Sequence, residues 1–550
     1  MERIDSPVEP ENPPDTAATT ARPMAFRLGL GLTVLGVALH IPMFLESREM
    51  QYHLAGMPMT PEMMIGMVLL FLGVGISIYG LVPHETAAHR PHRRISIEPL
   101  DDTPIRPAHI TLLLALAAAV TIDVMKPVAL AFTAPGAAAE YGLKGPLNPH
   151  AAALPIALYP LSGITGTMIG AFIWGWLGDR IGRRACILLA GIVFIATSTC
   201  GAMPAYWLNL VTCFAMGLAV GGMLPITFAL LSETVPRRHR GWMMILIGSD
   251  IAGAYIIVSW LASTWAAPDR FGWRLLWLIG LPTGLALFVL NRWIPESPRF
   301  LLRMNRAGEA AAVLRRYGAE IIEADTRPDA EDTVRNSSWQ LLRKPFLGLS
   351  VAVALLALGV GTTQYGFQQW MPSNLQRLGL SEVAASSVLR NAAILGFPLS
   401  VPVALLYGFW SSKKTVILMV AAITVALSAF VALGDRVGDN RVLLYVLLVI
   451  PVWGINTLNA TLAAFTAEVY PTVVRARGSG FSAGATKAGG VFILAAAVAA
   501  IAEPSIRLTA AVGVLPLGLA VLALAAYGPE TRHRHLERIT AAQLRIESAA

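Results

Sequence analysis

Gly175-Trp176-Leu177-Gly178-Asp179-Arg180-Ile181-Gly182-Arg183-Arg184 interrupts two long apolar runs, at roughly 154–177 and 184–203, with three glycines, one acid and three arginines. Glycine lets helices approach and the chain turn, the acid can meet a helix terminus or an arginine, and arginines hold a loop on the cytoplasmic side of a membrane. A merely positive loop would not need this glycine spacing. The runs on either side are long enough for a helix to cross a hydrocarbon core, which takes about 20 mostly apolar residues.

Working outward, about fourteen such runs can be counted in the 550 residues. Two lie near the N-terminus, at 27–46 and 62–83, before a polar stretch, His84 to His109, that holds Arg90, Arg93, Arg94 and Arg106. Six follow at 109–134, 154–177, 184–203, 206–231, 241–264 and 273–294, and six more at 346–370, 384–408, 414–433, 441–466, 478–502 and 506–527. Between the two sets, Pro295 to Pro345 is rich in both charge signs, with an amphipathic stretch from Ala307 to Tyr317 expected to lie on the membrane surface. The expected fold is therefore an all-α membrane protein of two six-helix bundles with pseudo-two-fold symmetry plus two extra N-terminal transmembrane helices. Its expected divisions are a tail at 1–26, the extra pair at 27–83, a linker at 84–108, bundles at 109–294 and 346–527, a central loop at 295–345 and a tail at 528–550.

The composition suits a lipid-embedded chain: 55% of residues are hydrophobic and 14% charged, a balance hard to keep dispersed in water. The net charge of +8 does not call for nucleic acid, because the arginines cluster in short connections. Basic groups follow every second core run: Arg180, Arg183 and Arg184; Arg237, Arg238 and Arg240; the central loop; Lys413 and Lys414; Arg475 and Arg477; and the tail from Arg532. Both termini and the central loop are thus expected in the cytoplasm, with the chain in a bacterial-type inner membrane. Arg270 and Arg274 locally blur the contrast. Cys186, Cys200 and Cys213 fall inside apolar runs without metal-ligand spacing, so neither a disulfide framework nor a metal is expected. No phosphate-cradling loop, nucleophile elbow or zinc spacing is present, so no enzyme activity and no cofactor are expected.

The opening segment resembles the loop signature of the major facilitator superfamily almost residue for residue, and further matches support that resemblance. The fourth core helix ends Glu233-Thr234-Val235-Pro236, followed by Arg240-Gly241, and the sixth ends Pro295-Glu296-Ser297-Pro298-Arg299-Phe300-Leu301. The second half repeats the scheme with Glu468-Val469-Tyr470-Pro471-Thr472, Arg475 to Gly478, and Pro529-Glu530-Thr531-Arg532. These resemble signatures of sugar porters and their relatives, a branch that includes aromatic-acid and proton symporters and synaptic-vesicle-protein-like chains. The resemblance implies alternating access around a central site. It also implies a gating latch of Gly175, Gly178, Asp179, Arg180, Gly182, Arg183, Arg184, Glu233, Arg240, Glu296, Arg299, Glu468 and Arg475, with each acid pairing a neighbouring base. The loop Gly408-Phe409-Trp410-Ser411-Ser412-Lys413-Lys414 lacks the aspartate, so the second latch is degenerate. The seventh core helix lacks the glutamine and asparagine spacing typical of sugar porters, and the fifth lacks the glycine-proline motif of drug antiporters.

Ionisable groups at membrane depth cost at least a few kcal/mol, so each invites a functional reading. Asp123 and Lys126 lie three apart on one helix face, close enough to pair. The segment Asp123 to Pro135 resembles the first helix of aromatic-acid and proton symporters, with one of two aspartates replaced by Lys126. Asp250, Arg390 and Lys487 interrupt other runs, and Gln364, Gln368, Gln369 and Trp370 lie where the seventh helix usually faces the cavity. These nine residues are the candidates for substrate binding or proton coupling. The same groups could instead bond helix to helix without meeting substrate. The sequence is expected to encode a monomeric secondary transporter of a small organic acid, aromatic acids included, with protons as candidate co-substrate and the lipid bilayer as surroundings. The competing expectations are a facilitator or symporter for sugars and other polar solutes, and a non-transporting membrane sensor with the same fold.

Overall fold

The computed structural model describes residues 22–82, 95–96, 100, 103–151, 153–304, 306–319, 322–323, 341, 346–470, 472–499 and 505–530. Among them, 14 helices are long and apolar enough to cross a membrane. Spans 1 and 2 are Pro23–Met50 and Pro61–Leu81. Spans 3 to 8 are Pro107–Glu140, Leu158–Gly178, Arg183–Ala202, Tyr206–Leu231, Trp242–Ser263 and Leu275–Trp293. Spans 9 to 14 are Leu347–Arg377, Glu382–Trp410, Ser412–Asp439, Arg441–Thr466, Gly478–Val498 and Ile506–Tyr527. The described residues are helical apart from connecting turns, a two-residue antiparallel pairing of Ile95–Ser96 with Ile322–Glu323, and isolated bridges between Lys144 and Pro155 and between Gly145 and Asn148.

Helices dominate because a backbone in hydrocarbon has to satisfy its own polar groups. Span 3 is longer than its apolar run suggested. It continues unbroken through Pro127 and Pro135 to Glu140, so its last turn is charged and lies at the face opposite the arginine-rich loops. The short helix Ala307–Tyr317 does form, but its apolar side meets protein rather than lipid: Ala310, Leu314 and Tyr317 are buried, and the Tyr317 ring meets His109 of span 3 edge-on at 4.9 Å. Burial pushes the Tyr317 hydroxyl up to about 12.

Spans 1 and 2 form a tight hairpin built on glycines seven residues apart. A Cβ at Gly73 would stand 2.7 Å from the backbone nitrogen of Thr33, and one at Gly36 would stand 2.8 Å from the carbonyl of Gly66. Backbones this close leave no room for a side chain. The hairpin lies against spans 5 and 8, where Val37 and Leu70 pack with Ile195, and Phe26 meets Phe288.

The hairpin's loop is fastened to the core by a buried ion pair. Arg274 at the start of span 8 bonds Glu140 at the end of span 3 through Nη2 and Oε1 at 2.6 Å, with side chains 1% and 2% exposed. Trp273 Nε1 and Arg274 Nε donate to Glu140 Oε2 at 2.9 and 3.1 Å, while Leu54 N and Ala55 N of the hairpin loop donate to Oε1 at 2.7 and 2.9 Å. Arg274 Nη1 also reaches the carbonyls of Gly201 and Met203. Arg274 therefore carries no topological charge, which explains why it blurred the contrast between loops.

Removing one partner of a buried, fully bonded pair leaves the other charged and unmatched. Glu140→Gln is expected to destabilise the protein by about 3–5 kcal/mol, read as a lower thermal midpoint in detergent. The double substitution Glu140→Gln with Arg274→Met is expected to recover part of that loss.

Candidate substrate and coupling site

At the arginine-rich face, the latch residues form a network inside the first bundle. Gly182 breaks the helix between spans 4 and 5 at φ 97° and ψ 163°, a conformation that is essentially restricted to glycine. The turn exposes the first amides of span 5, and Glu296 accepts from Arg183 N at 2.7 Å and from Arg184 N at 3.2 and 3.3 Å. A carboxylate at a helix N-terminus meets both the orphan amides and the positive end of the helix dipole. Burial pushes the Glu296 carboxyl above its ordinary value, while the amides of Ser297, Arg183 and Arg184 and the Arg183 charge pull it back. Arg183 also donates to the Gly178 carbonyl at 2.5 Å and pairs with Glu233 at 3.4 Å, and Ser297 Oγ donates to Glu233. Arg180 lies over the Trp176 ring at 4.1 Å. At Gly175, Asp179, Arg240, Arg299 and Arg475 the backbone is helical, and the side chains of the last four lie outside the described residues.

The second bundle holds a matching cap. Glu530 accepts from Ser412 N at 3.0 Å and Ser412 Oγ at 2.6 Å, and Ser411 Oγ also donates to it, all at the N-terminus of span 11. Glu468 accepts from the Tyr407 hydroxyl at 2.8 Å. The missing aspartate did not abolish this half of the scheme. Glu530 was not among the latch residues expected from the sequence, although the Pro-Glu dipeptide shared by 295–296 and 529–530 was its signal.

The mid-membrane charges are distributed differently from the sequence expectation. Asp123 and Lys126 make no salt bridge or hydrogen bond with each other: the Lys126 ammonium leaves the shared face for span 5. There it donates to the carbonyl of Phe194, to Thr197 Oγ1 at 2.8 Å and to Ser198 Oγ at 3.4 Å, over the Phe194 ring at 4.1 Å. Asp123 is 1% exposed and its Oδ1 has no hydrogen-bond partner. Its electrostatic partners are Lys126 and Lys487 of span 13. Among the described residues Lys487 donates no hydrogen bond, and Asp123 is its electrostatic partner. A Cβ at Gly361 of span 9 would meet the Thr486 carbonyl, so the neighbouring face of span 13 is packed and Lys487 is turned towards the first bundle.

Asp250, at a break inside span 7, accepts from Thr121 Oγ1 of span 3. Arg390 of span 10 donates to Ser263 Oγ of span 7 at 3.0 Å and to Asn391 Oδ1 at 3.2 Å. It thereby ties the two bundles together towards the face opposite the arginine-rich loops. Span 9 passes through a π-helical segment, Thr363–Gln368, an irregularity that recurs at functional sites. Gln364 lies in it, Gln368 donates to the Val452 carbonyl at 3.3 Å, and Gln369 Nε2 is buried without a partner. Trp370 does not stand beside the charges: it belongs to an apolar cluster that joins Leu130, Tyr159 and Trp277 of the first bundle to Leu494 of the second.

The model of the Major Facilitator Superfamily matches residues 111–494, and the chain belongs to that family. It is accordingly a multi-pass membrane transporter of small metabolites and not an enzyme. Among curated relatives, the niacin transporter NiaP of Acinetobacter baylyi is 27% identical over 60% of this chain and 74% of its own length. The inner membrane metabolite transport protein YgcS of Escherichia coli is 28% identical over 60% of this chain and 72% of its own. Among solved structures, the proton:xylose symporter XylE bound to 6-bromo-6-deoxy-D-glucose has a TM-score of 0.61 at 16% identity, covering 79% of this chain and 99% of the other. That likeness shows the fold.

Gly182→Ala would force a side chain into a glycine-only conformation, with its Cβ against Glu296 Oε2. The substitution is expected to cost about 1–3 kcal/mol, measured as reduced thermal stability.

Proposed function

We propose that the chain carries a small organic acid in symport with protons, by alternating access, with Lys487 as the anchor for the substrate carboxylate and Asp123 as the proton carrier. One observation carries this reading. Among the described residues Lys487 from the second bundle has no acceptor and Asp123 Oδ1 from the first has no donor, and Asp123 and Lys487 interact electrostatically across the two bundles. An unsatisfied ammonium and an unsatisfied carboxylate at membrane depth are expensive unless a ligand completes them. The other membrane-depth cations described above have partners, which removes Lys126, Arg274 and Arg390 as anchors.

Charge balance supplies the coupling. In the empty carrier Asp123 and Lys487 compensate each other, so the bundles can reorient. A bound carboxylate takes over the compensation of Lys487 and leaves Asp123 an unbalanced anion, which is costly at this depth. A proton on Asp123 removes that cost, and the loaded carrier is balanced again. Substrate without proton, or proton without substrate, leaves one charge over. Lys126, the other cation near Asp123, sits on neutral oxygens of span 5 within the same bundle, so reorientation of the bundles does not separate it from Asp123.

The niacin transport named for NiaP makes an aromatic monocarboxylate the first substrate to test. The clustering of arginines in alternate loops supports taking both termini as cytoplasmic in an inner membrane, with uptake following the inward proton gradient.

In proteoliposomes, an inward proton gradient is expected to drive accumulation of labelled niacin or a related monocarboxylate, with sugars inactive. Lys487→Met is expected to lower uptake about tenfold or more, the factor that 1.4 kcal/mol supplies. Asp123→Asn is expected to retain substrate exchange while losing gradient-driven accumulation, because its loaded state is balanced and its empty state is not. Gradient-independent equilibration, or transport of sugars alone, would contradict the reading.

A further inference from the structure

A pair of thiols lies outside this mechanism. Cys200 and Cys213 are buried and unbridged, with their sulfur atoms 3.7 Å apart. Cys200 sits in the 3₁₀ turn Thr197–Ala202 that closes span 5. Cys213 sits early in span 6, in the helix Tyr206–Val220. The turn between them, Met203 to Ala205, lies at the face opposite the arginine-rich loops.

A buried cysteine is usually inert, because an apolar site disfavours the thiolate that reacts. Two features set this pair apart. Cys200 Sγ donates to Asn209 Oδ1 at 3.0 Å, and Asn209 is itself held by donating Nδ2 to the Tyr141 hydroxyl at 2.6 Å, which fixes the thiol towards its neighbour. The Lys126 ammonium lies within electrostatic reach of both sulfurs, so a negative charge formed on either meets a fixed cation. Closing from contact to bonding distance takes the sulfurs to about 2.05 Å.

We propose that Cys200 and Cys213 form a redox modification site, in which a small neutral peroxide converts the thiol pair into an intramolecular disulfide. Loss of a proton gives the Cys200 thiolate, which attacks one peroxide oxygen. The O–O bond breaks, and hydroxide takes the proton and leaves as water, giving Cys200 sulfenic acid. The Cys213 sulfur then attacks the sulfenic sulfur, the S–O bond breaks, and a second water departs with the Cys213 proton. Two thiols are oxidised by two electrons, and one peroxide is reduced to two waters. Peroxide is small and uncharged enough to reach a site closed to bulkier oxidants. The site lies at the end of the span that faces the oxidising side under the orientation set by loop charge.

The bond has a structural consequence. The turn that carries Cys200 also carries Thr197 and Ser198, which accept from Lys126. Joining it to span 6 fixes the seat of that ammonium. The proposal rests on the contacts around the thiols and is independent of the substrate.

The full-length protein in detergent, treated with hydrogen peroxide and digested for mapping, tests this. The expected result is an intact mass lower by about 2 Da, a cross-link mapped to Cys200 and Cys213, reversal by dithiothreitol, and slower hydrogen exchange across residues 197–213. Cys200→Ser and Cys213→Ser are each expected to abolish the cross-link, with Cys200→Ala and Cys213→Ala as a second pair should serine disturb the fold, and Cys186→Ser is expected to leave it intact. An unchanged mass in the wild type would overturn the proposal. So would oxygen additions of about 16–48 Da on single cysteines, a bridge that uses Cys186, or a bridge between molecules.

Discussion

A charged side chain inside a bilayer needs a partner within the protein, and that requirement organises most of this structure. Where the partner is close and complete, the charge becomes a fastening. Arg274 and Glu140 exhaust their bonding capacity on each other, on two backbone carbonyls, on Trp273 and on the hairpin loop. One ion pair thereby joins the ends of spans 3 and 8 and seats the two additional helices. Lys126 is fastened in the same sense, by neutral oxygens at the end of span 5. Asp123 and Lys487 are the exception, since each is left with unused capacity and the two belong to different bundles. Incomplete satisfaction at a movable interface is what a transport site requires, because substrate and proton can then decide which arrangement of the bundles is affordable.

The same physics appears at the arginine-rich face in a neutral form. Each bundle ends in a Pro-Glu dipeptide whose carboxylate caps the helix that opens after the bundle's second span, Glu296 on span 5 and Glu530 on span 11. The caps link the first and last parts of each bundle, so each can move as one body when the halves exchange orientation. Gly182 makes the first cap sterically possible, and Ser411 and Ser412 do the corresponding work in the second by donating hydroxyls.

Much of this architecture is legible in the sequence because hydropathy and loop charge follow directly from the solvent. All fourteen spans can be counted that way. Helix ends are harder: span 3 runs past its apolar stretch because the residues after Thr133 are mostly small and helix-compatible, and because Glu140 finds Arg274 in place of water. Pairings across the fold are hardest. Asp123 and Lys126 share a helix face, yet a long lysine stem lets the ammonium reach span 5, a choice that spacing cannot reveal. Trp370 occupies an apolar junction between bundles although its neighbours in sequence are polar. Arg274 looked like a stray loop charge and is buried, because its partner lies 134 positions away in the chain.

The proposed mechanism requires that Lys487 face the substrate path and that Lys126 not do so. The most direct test is the relative reactivity of the two amines towards a small acylating reagent in the folded protein, read by peptide mapping. Acylation of Lys487 is expected with Lys126 unmodified until the protein unfolds, together with protection of Lys487 by a transported carboxylate. Modification of Lys126 ahead of Lys487, or equal modification of both, would contradict the mechanism.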